Sequence, residues 1–240
     1  MPLDERHRKL LADGDRLFSA RQNLDSFWQE SALHFYPEMA EFTSERYLGE
    51  EFADHLTTSY PLLARRELGD AFGSLLRPTN LDTNSPGVWF EISVEDERIK
   101  DQQAKRWLEW ATGVQRRAMY DRVSCFIKAT KAGDHSFVAF GQCPLTLNLS
   151  RNRDAILYQC WHLRDVVWCE DSAGAINHVQ RKWNTTATEC ASLFGKDCSP
   201  ELLKKLSDEP YAKIECRHIV ISTENYEQRG VNGKRYRKPW

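Results

Sequence analysis

The chain has 240 residues, 41% of them hydrophobic and 28% charged, with 33 Lys+Arg against 35 Asp+Glu and a formal charge of −2. That composition is too apolar for a disordered chain and too charged for a membrane bundle, and the balance of signs excludes a protein whose whole surface grips a polyanion. No run reaches the roughly 20 apolar residues of a spanning helix and the opening residues carry charges rather than an apolar signal core, so a globular protein made and kept in the cytosol is expected.

Leu10, Leu17 and Leu24 recur every seven residues, with Leu11, Phe18, Phe27 and Trp28 beside them. This predicts one long helix from Asp4 to about Tyr36, with a single buried stripe and an end at Pro37. A second helical stretch is expected from about Phe52 to Leu76, interrupted at Tyr60-Pro61, with Ala64, Leu68, Phe72 and Leu75 on one buried face. Gly69 and Gly73 are spaced for a close backbone approach, but outside a membrane that spacing reads first as two unremarkable glycines. Turn chemistry makes Arg77 to Gly87 a loop, and alternation of Phe90, Ile92 and Val94 with Glu91 and Ser93 predicts a half-buried strand over Val88 to Val94. Asp96 is placed to cap a helix to about Tyr120, with Ala104, Trp107, Leu108, Ala111 and Val114 as its stripe. A helix from Arg122 to Phe140 rests on Val123, Phe126, Ile127 and Val138, with Gly133-Asp134 weakening its middle.

From Gly141 the period changes. Leu145, Leu147 and Leu149 alternate with polar residues, then Ile156 to Cys160, Val166 to Glu170 and Ile176 to Trp183 follow as strands, which together predict one antiparallel meander. Thr186 and Glu189 have capping-box spacing for a short helix ending at Phe194-Gly195, and Ser199-Pro200 starts another through Leu206. Ile214 to Ser222 is strand-like and Gly230 to Gly233 a turn. The fold class is α+β: a helical N-terminal half, residues 1–140, followed by an antiparallel β portion with short helices, residues 141–240.

No catalytic set emerges, and no cofactor or metal is expected. Gly195-Lys196 and Gly233-Lys234 lack the rest of a phosphate-binding loop, and GxSxG, HExxH, GxGxxG and EF-hand patterns are absent. Glu50/Glu51 and Glu95/Asp96 read as solvated helix starts, and His218 as a structural histidine within an apolar strand. The seven cysteines form no CxxC pair and read as reduced, mostly buried thiols, although Cys160, His162 and Cys169 offer three ligands to a metal. Two features stand apart. Arg229, Lys234, Arg235, Arg237 and Lys238, with Tyr236 and Trp240 interleaved and no acid between, are the candidate DNA contacts. An amphipathic N-terminal helix opening Arg6-His7-Arg8-Lys9 is able to dock on a partner as readily as on its own core.

In order, these segments resemble the N-terminal wing region of a tailed-phage portal, the head-to-tail connecting protein of podovirus type. The resemblance starts with Leu24-Asp25-Ser26-Phe27-Trp28-Gln29-Glu30 leading to Phe35-Tyr36-Pro37. It continues through Ala64 to Arg77-Pro78, Trp89-Phe90 and Phe137-Val138-Ala139-Phe140-Gly141. Its most specific stretch is His162 to Ile176, followed by Thr185-Thr186 and Phe194-Gly195. The resemblance implies a non-enzymatic subunit of a homo-oligomeric ring, a dodecamer in the family, at one capsid vertex of the virion and assembled in the host cytoplasm. Its implied partners are capsid, terminase and tail proteins, and double-stranded DNA passing through the channel during packaging and ejection, with no membrane. Stem, clip and crown regions of the family are not recognised, so a C-terminally truncated portal is expected. A stand-alone nucleic-acid-binding module using the basic C-terminal strand is the alternative, and a metal-dependent hydrolase built on Cys160 and His162 a third reading.

Overall fold

A computed structural model describes residues 5–47, 49–51, 53–78, 89–94, 101–150, 154–195 and 198–222. Helices fill the first half of the chain and antiparallel strands with short helices the second, an α+β fold. Two units form, one from Met1–Asp25 with Arg164–Trp240, the other from the continuous stretch Ser26–Leu163.

The first unit is a three-stranded antiparallel sheet, β3 (Val166–Glu170), β4 (Ile176–Thr186) and β5 (Lys213–Ile221), with β4 central. The β3–β4 turn is set by Asp171, whose carboxylate accepts from the Ala173 and Ala175 amides at 2.8 and 2.9 Å, and by Gly174, whose φ of +80° suits only a residue without Cβ. Side chains alternate across the sheet. One face carries His178, Gln180 and Arg217 against helix α1 (Glu5–Ala20). Gln180 donates to the Leu10 carbonyl at 2.8 Å, Arg217 pairs with Asp15 at 2.7 Å, and a Cβ on Gly14 would stand 1.9 Å from the Gln180 Oε1, so only glycine lets α1 lie this close. The other face carries Cys216 toward α6 (Ala187–Phe194). The capping box forms: Thr186 accepts from the Glu189 amide and Glu189 reaches back to Thr186. Helix α7 (Pro200–Asp208) starts as expected on a Ser199 cap.

The second unit packs α2 (Gln22–Phe35, from Ser26 on), α3 (Tyr60–Leu76), α4 (Gln102–Tyr120) and α5 (Phe126–Phe140) with a hairpin of β1 (Leu145–Leu149) and β2 (Ile156–Cys160). Its core gathers Trp28, Ala32, Ala40, Phe140 and Leu163, with Tyr36, Met39 and Phe42 against them. Phe42 lies 5.6 Å from the Trp28 ring and 5.1 Å from Phe140. Gln29 clamps the loop after Pro37 onto this core, accepting from the Phe42 amide at 2.8 Å and donating to the Ala40 carbonyl at 3.1 Å. A second aromatic cluster centres on Phe126, with Tyr120, Tyr158 and Trp89 around it.

Several expectations are corrected. The N-terminal helix is two helices, because the chain turns at Arg21, whose guanidinium leaves the helix surface to bond the Arg164 and Val166 carbonyls and Asp25; Leu24 and Phe27 are exposed. The second helix begins only at Tyr60, since Pro61 fits a first turn and Ala53 upstream sits at φ +66°. Residues 89–94 form no strand: the segment keeps its alternating burial at Phe90 and Ile92, but α4 side chains take its backbone groups, Arg116 on the Phe90 carbonyl and Thr112 on the Ile92 amide. The cap of α4 is Asp101 rather than Asp96, which lies outside the described residues. Helix α5 starts at Phe126, after a left-handed Cys125, and runs unbroken through Gly133. The predicted single meander is two separate sheets. The loop over 79–87 and the turn at Gly230 to Gly233 lie outside the described residues.

Candidate functional site

Helix α5 turns a polar face inward. Asp134, His135 and Ser136 are all buried, an unusual load for a helix interior, and α3 meets the first two with Gly73 and Gly69. A Cβ on Gly69 would stand 2.3 Å from the His135 Nδ1, and one on Gly73 2.6 Å from an Asp134 oxygen. The glycine pair is therefore a docking notch, which overturns its reading as unremarkable.

The polar groups answer one another. Asp134 accepts from Arg77, the residue that ends α3. Burial pushes the Asp134 carboxyl above its ordinary value, and the Arg77 charge only partly offsets this. Arg65 donates to the His135 Nδ1 at 3.0 Å and stacks over the Tyr36 ring at 3.9 Å. Because arginine can only donate, that nitrogen accepts, and the proton of the neutral ring sits on Nε2, 3.4 Å from Asp70. Burial, with Arg65 next, pushes the His135 imidazole below its ordinary value. Asp70 also meets Lys131 at 3.1 Å, which holds its carboxyl low. Beside these pairs an open cleft of about 280 Å³ runs between α3 and α5, past Asp70, Ser74, Arg77, Thr130 and Asp134. Its ionisable groups are engaged with each other, so the arrangement clamps two helices together.

Large apolar side chains are exposed on α3 and α4. The α3 stripe that periodicity assigns to the core is only partly covered: Phe72 stacks on Phe137 of α5, but Leu68 and Leu75 are exposed, Leu75 by 82%. Trp107 and Trp110 on α4 are 60% and 61% exposed, with Val114 beside them, which corrects the placing of Trp107 and Val114 on a buried stripe. Periodicity finds such stripes but cannot say whether the covering surface belongs to the same chain.

This much apolar side chain on the outside of folded helices is the mark of a surface made to be covered. The sequence matches the family of bacteriophage head to tail connecting proteins over residues 8–240. The chain belongs to that family. The connector family is a structural one, which makes the chain a component of the phage particle between head and tail. No curated protein matches the chain.

The motif residues carry structural work in this connector chain. Trp28 and Gln29 build the core and clamp its loop, and Asp171 to Gly174 form the β3–β4 turn. His162 bonds the Met39 carbonyl at 3.2 Å and lies edge-on to Phe42, and burial pushes the Cys160 thiol up to about 11. Among the described residues no group of three or more His, Cys, Asp or Glu forms a metal site, and no helix is long and apolar enough to cross a membrane. The basic candidates Arg229, Lys234, Arg235, Arg237 and Lys238 lie outside the described residues.

Proposed function

We propose that the chain is a subunit of the portal ring, a closed homo-oligomer at one capsid vertex that binds capsid, terminase and tail proteins and passes double-stranded DNA during packaging and ejection. The observation that carries this reading is the family match over residues 8–240, and the exposed apolar faces of α3 and α4 support it, since a heterologous ring buries one patch of each subunit against a different patch of the next. The near-neutral charge of −2 suits a channel wall along which DNA slides without sticking. Light scattering on the size-exclusion peak, with negative-stain electron microscopy, tests it: rings of identical subunits are expected, and a monomer at every concentration overturns the reading.

The basic segment is proposed to touch the DNA backbone. Replacing Arg229, Lys234, Arg235, Arg237 and Lys238 together by Ser is expected to flatten the salt dependence of DNA binding, by a slope of about 0.9 for each phosphate that these side chains neutralise. An unchanged slope removes these residues from the interface.

A further inference from the structure

Cys190 on α6 and Cys216 on β5 are both buried in the first unit, and their Sγ atoms stand 3.6 Å apart. A disulfide requires about 2.0 Å between sulfurs. Closing the gap asks the two sulfurs to approach by about 1.6 Å in all, about 0.8 Å from each side. The two residues come from opposite ends of a segment that contains α7, so a bond between them would tie the middle of β5 to α6 and close the intervening chain into a loop. The remaining cysteines provide the comparison: Cys125, Cys143, Cys160, Cys169 and Cys198 are each only half-buried, and none has a hydrogen-bonding contact with another sulfur among those the structure describes.

We propose that Cys190 and Cys216 are a latent dithiol, a modification site that a peroxide-class oxidant converts to an intrachain disulfide. The step balances in two stages. One cysteine sulfur, as thiolate, attacks an oxygen of hydrogen peroxide; the O–O bond breaks and hydroxide leaves, taking up the thiol proton as water, which leaves a sulfenic acid. The second sulfur then attacks the first; the S–S bond forms, the S–O bond breaks, and the hydroxyl departs with the second thiol's proton as another water. Two electrons pass from the thiols to the peroxide. Hydrogen peroxide is close to water in size, which is what a buried pair demands of its oxidant. Burial holds the Cys216 thiol up at about 12, and because the thiolate is the nucleophile, closure is slow near neutral pH and accelerates as pH rises. A component of the phage particle is made where thiols are kept reduced and leaves that environment at release, so the pair is open during assembly and closes afterwards. Only that timing rests on the connector assignment; the chemistry rests on the geometry.

The experiment uses the purified full chain. It is reduced, freed of reductant, exposed to hydrogen peroxide at mildly alkaline pH, cleared of peroxide with catalase, unfolded in the presence of excess N-ethylmaleimide, digested without reductant and read by mass spectrometry. The expected result is a peptide pair joining Cys190 to Cys216, lighter by two hydrogens than the separate thiols and split by reductant. It is accompanied by a rise in Tm on the order of 5 °C that reductant reverses. Cys190→Ser and Cys216→Ser each remove the cross-link and the rise. Recovery of both cysteines as maleimide adducts or as sulfinic or sulfonic acids overturns the proposal, as does preferential cross-linking of either to another cysteine. The peptide map of the unaltered chain decides this even if a serine variant does not fold, and it is independent of whether the chain forms rings.

Discussion

Glycine does its work here by being small. At Gly69 an added methyl would collide with a His135 ring that Arg65 and Asp70 hold in place. Gly69→Ala gains about 1 kcal/mol of helix propensity. It also overpacks the contact by about 1–3 kcal/mol and disturbs a hydrogen bond worth about 1 kcal/mol, so the collision wins. Chemical denaturation is expected to show a net loss of about 1–3 kcal/mol, and a stabilised variant would mean that α3 and α5 are not packed in this way. Histidines act at the same scale. Burial pushes His135, His178 and His218 below the ordinary 6.5, helped by Arg65 at the first and Arg181 at the last. The unfolded chain therefore binds more protons than the folded one just below pH 6.5, and the stability these groups contribute is whole above that value and declines as pH falls through it. His178 is the plainest case: it is fully buried, with its Nε2 2.9 Å from the Gln180 amide nitrogen, and burial alone pushes its imidazole down. Asp25 and Asp134, which burial pushes upward, act in the opposite sense nearer the carboxylate range. Thermal unfolding at pH 7.5 and 5.5 is expected to give the lower Tm at 5.5; an equal or higher Tm there contradicts this account.

Elements with a local cause are legible in the sequence. The α6 cap needs only Thr186 and Glu189, three residues apart, and the structure uses both. Thr186→Ala is expected to cost about 1 kcal/mol in urea unfolding, since it leaves a first-turn amide without its acceptor. The Ser199-Pro200 start of α7 and the Gly141 end of α5 are equally readable, because each is decided within one turn of chain. Where the cause is distant, the pattern misleads. Phe90 and Ile92 alternate in burial as a strand should, yet no described strand lies alongside, and Arg116 and Thr112 of α4 take the backbone groups instead. The helix break at Arg21 is decided by carbonyls at Arg164 and Val166, some 145 residues along the chain from that guanidinium. The clamp between α3 and α5 is half visible: the glycine spacing stands out in the sequence, but nothing local to Gly69 announces His135.

For the molecule as a whole, the proposed ring turns on what covers the outward stripes. Helix α4 carries Trp107 and Trp110 exposed on one face, an apolar pair that the proposed ring interface would cover. Replacing both by Glu leaves the buried core untouched, so unfolding free energy is expected to stay within about 0.5 kcal/mol of the parent. Assembly is expected to be abolished, with light scattering reporting monomers. Rings that survive would place the subunit interface on another face. The way the termini are used adds a matter of timing. Helix α1 is made first, but the sheet that receives it at Gly14 and Gln180 is complete only when β5 has been made, with the whole of the other unit synthesised in between. At about 5–20 residues per second that is a wait of roughly 10–40 s. The nascent chain thus holds an amphipathic helix without its sheet while Ser26–Leu163 folds, and a ribosome stalled before β5 would present α1 to whatever chaperone or neighbouring subunit is at hand.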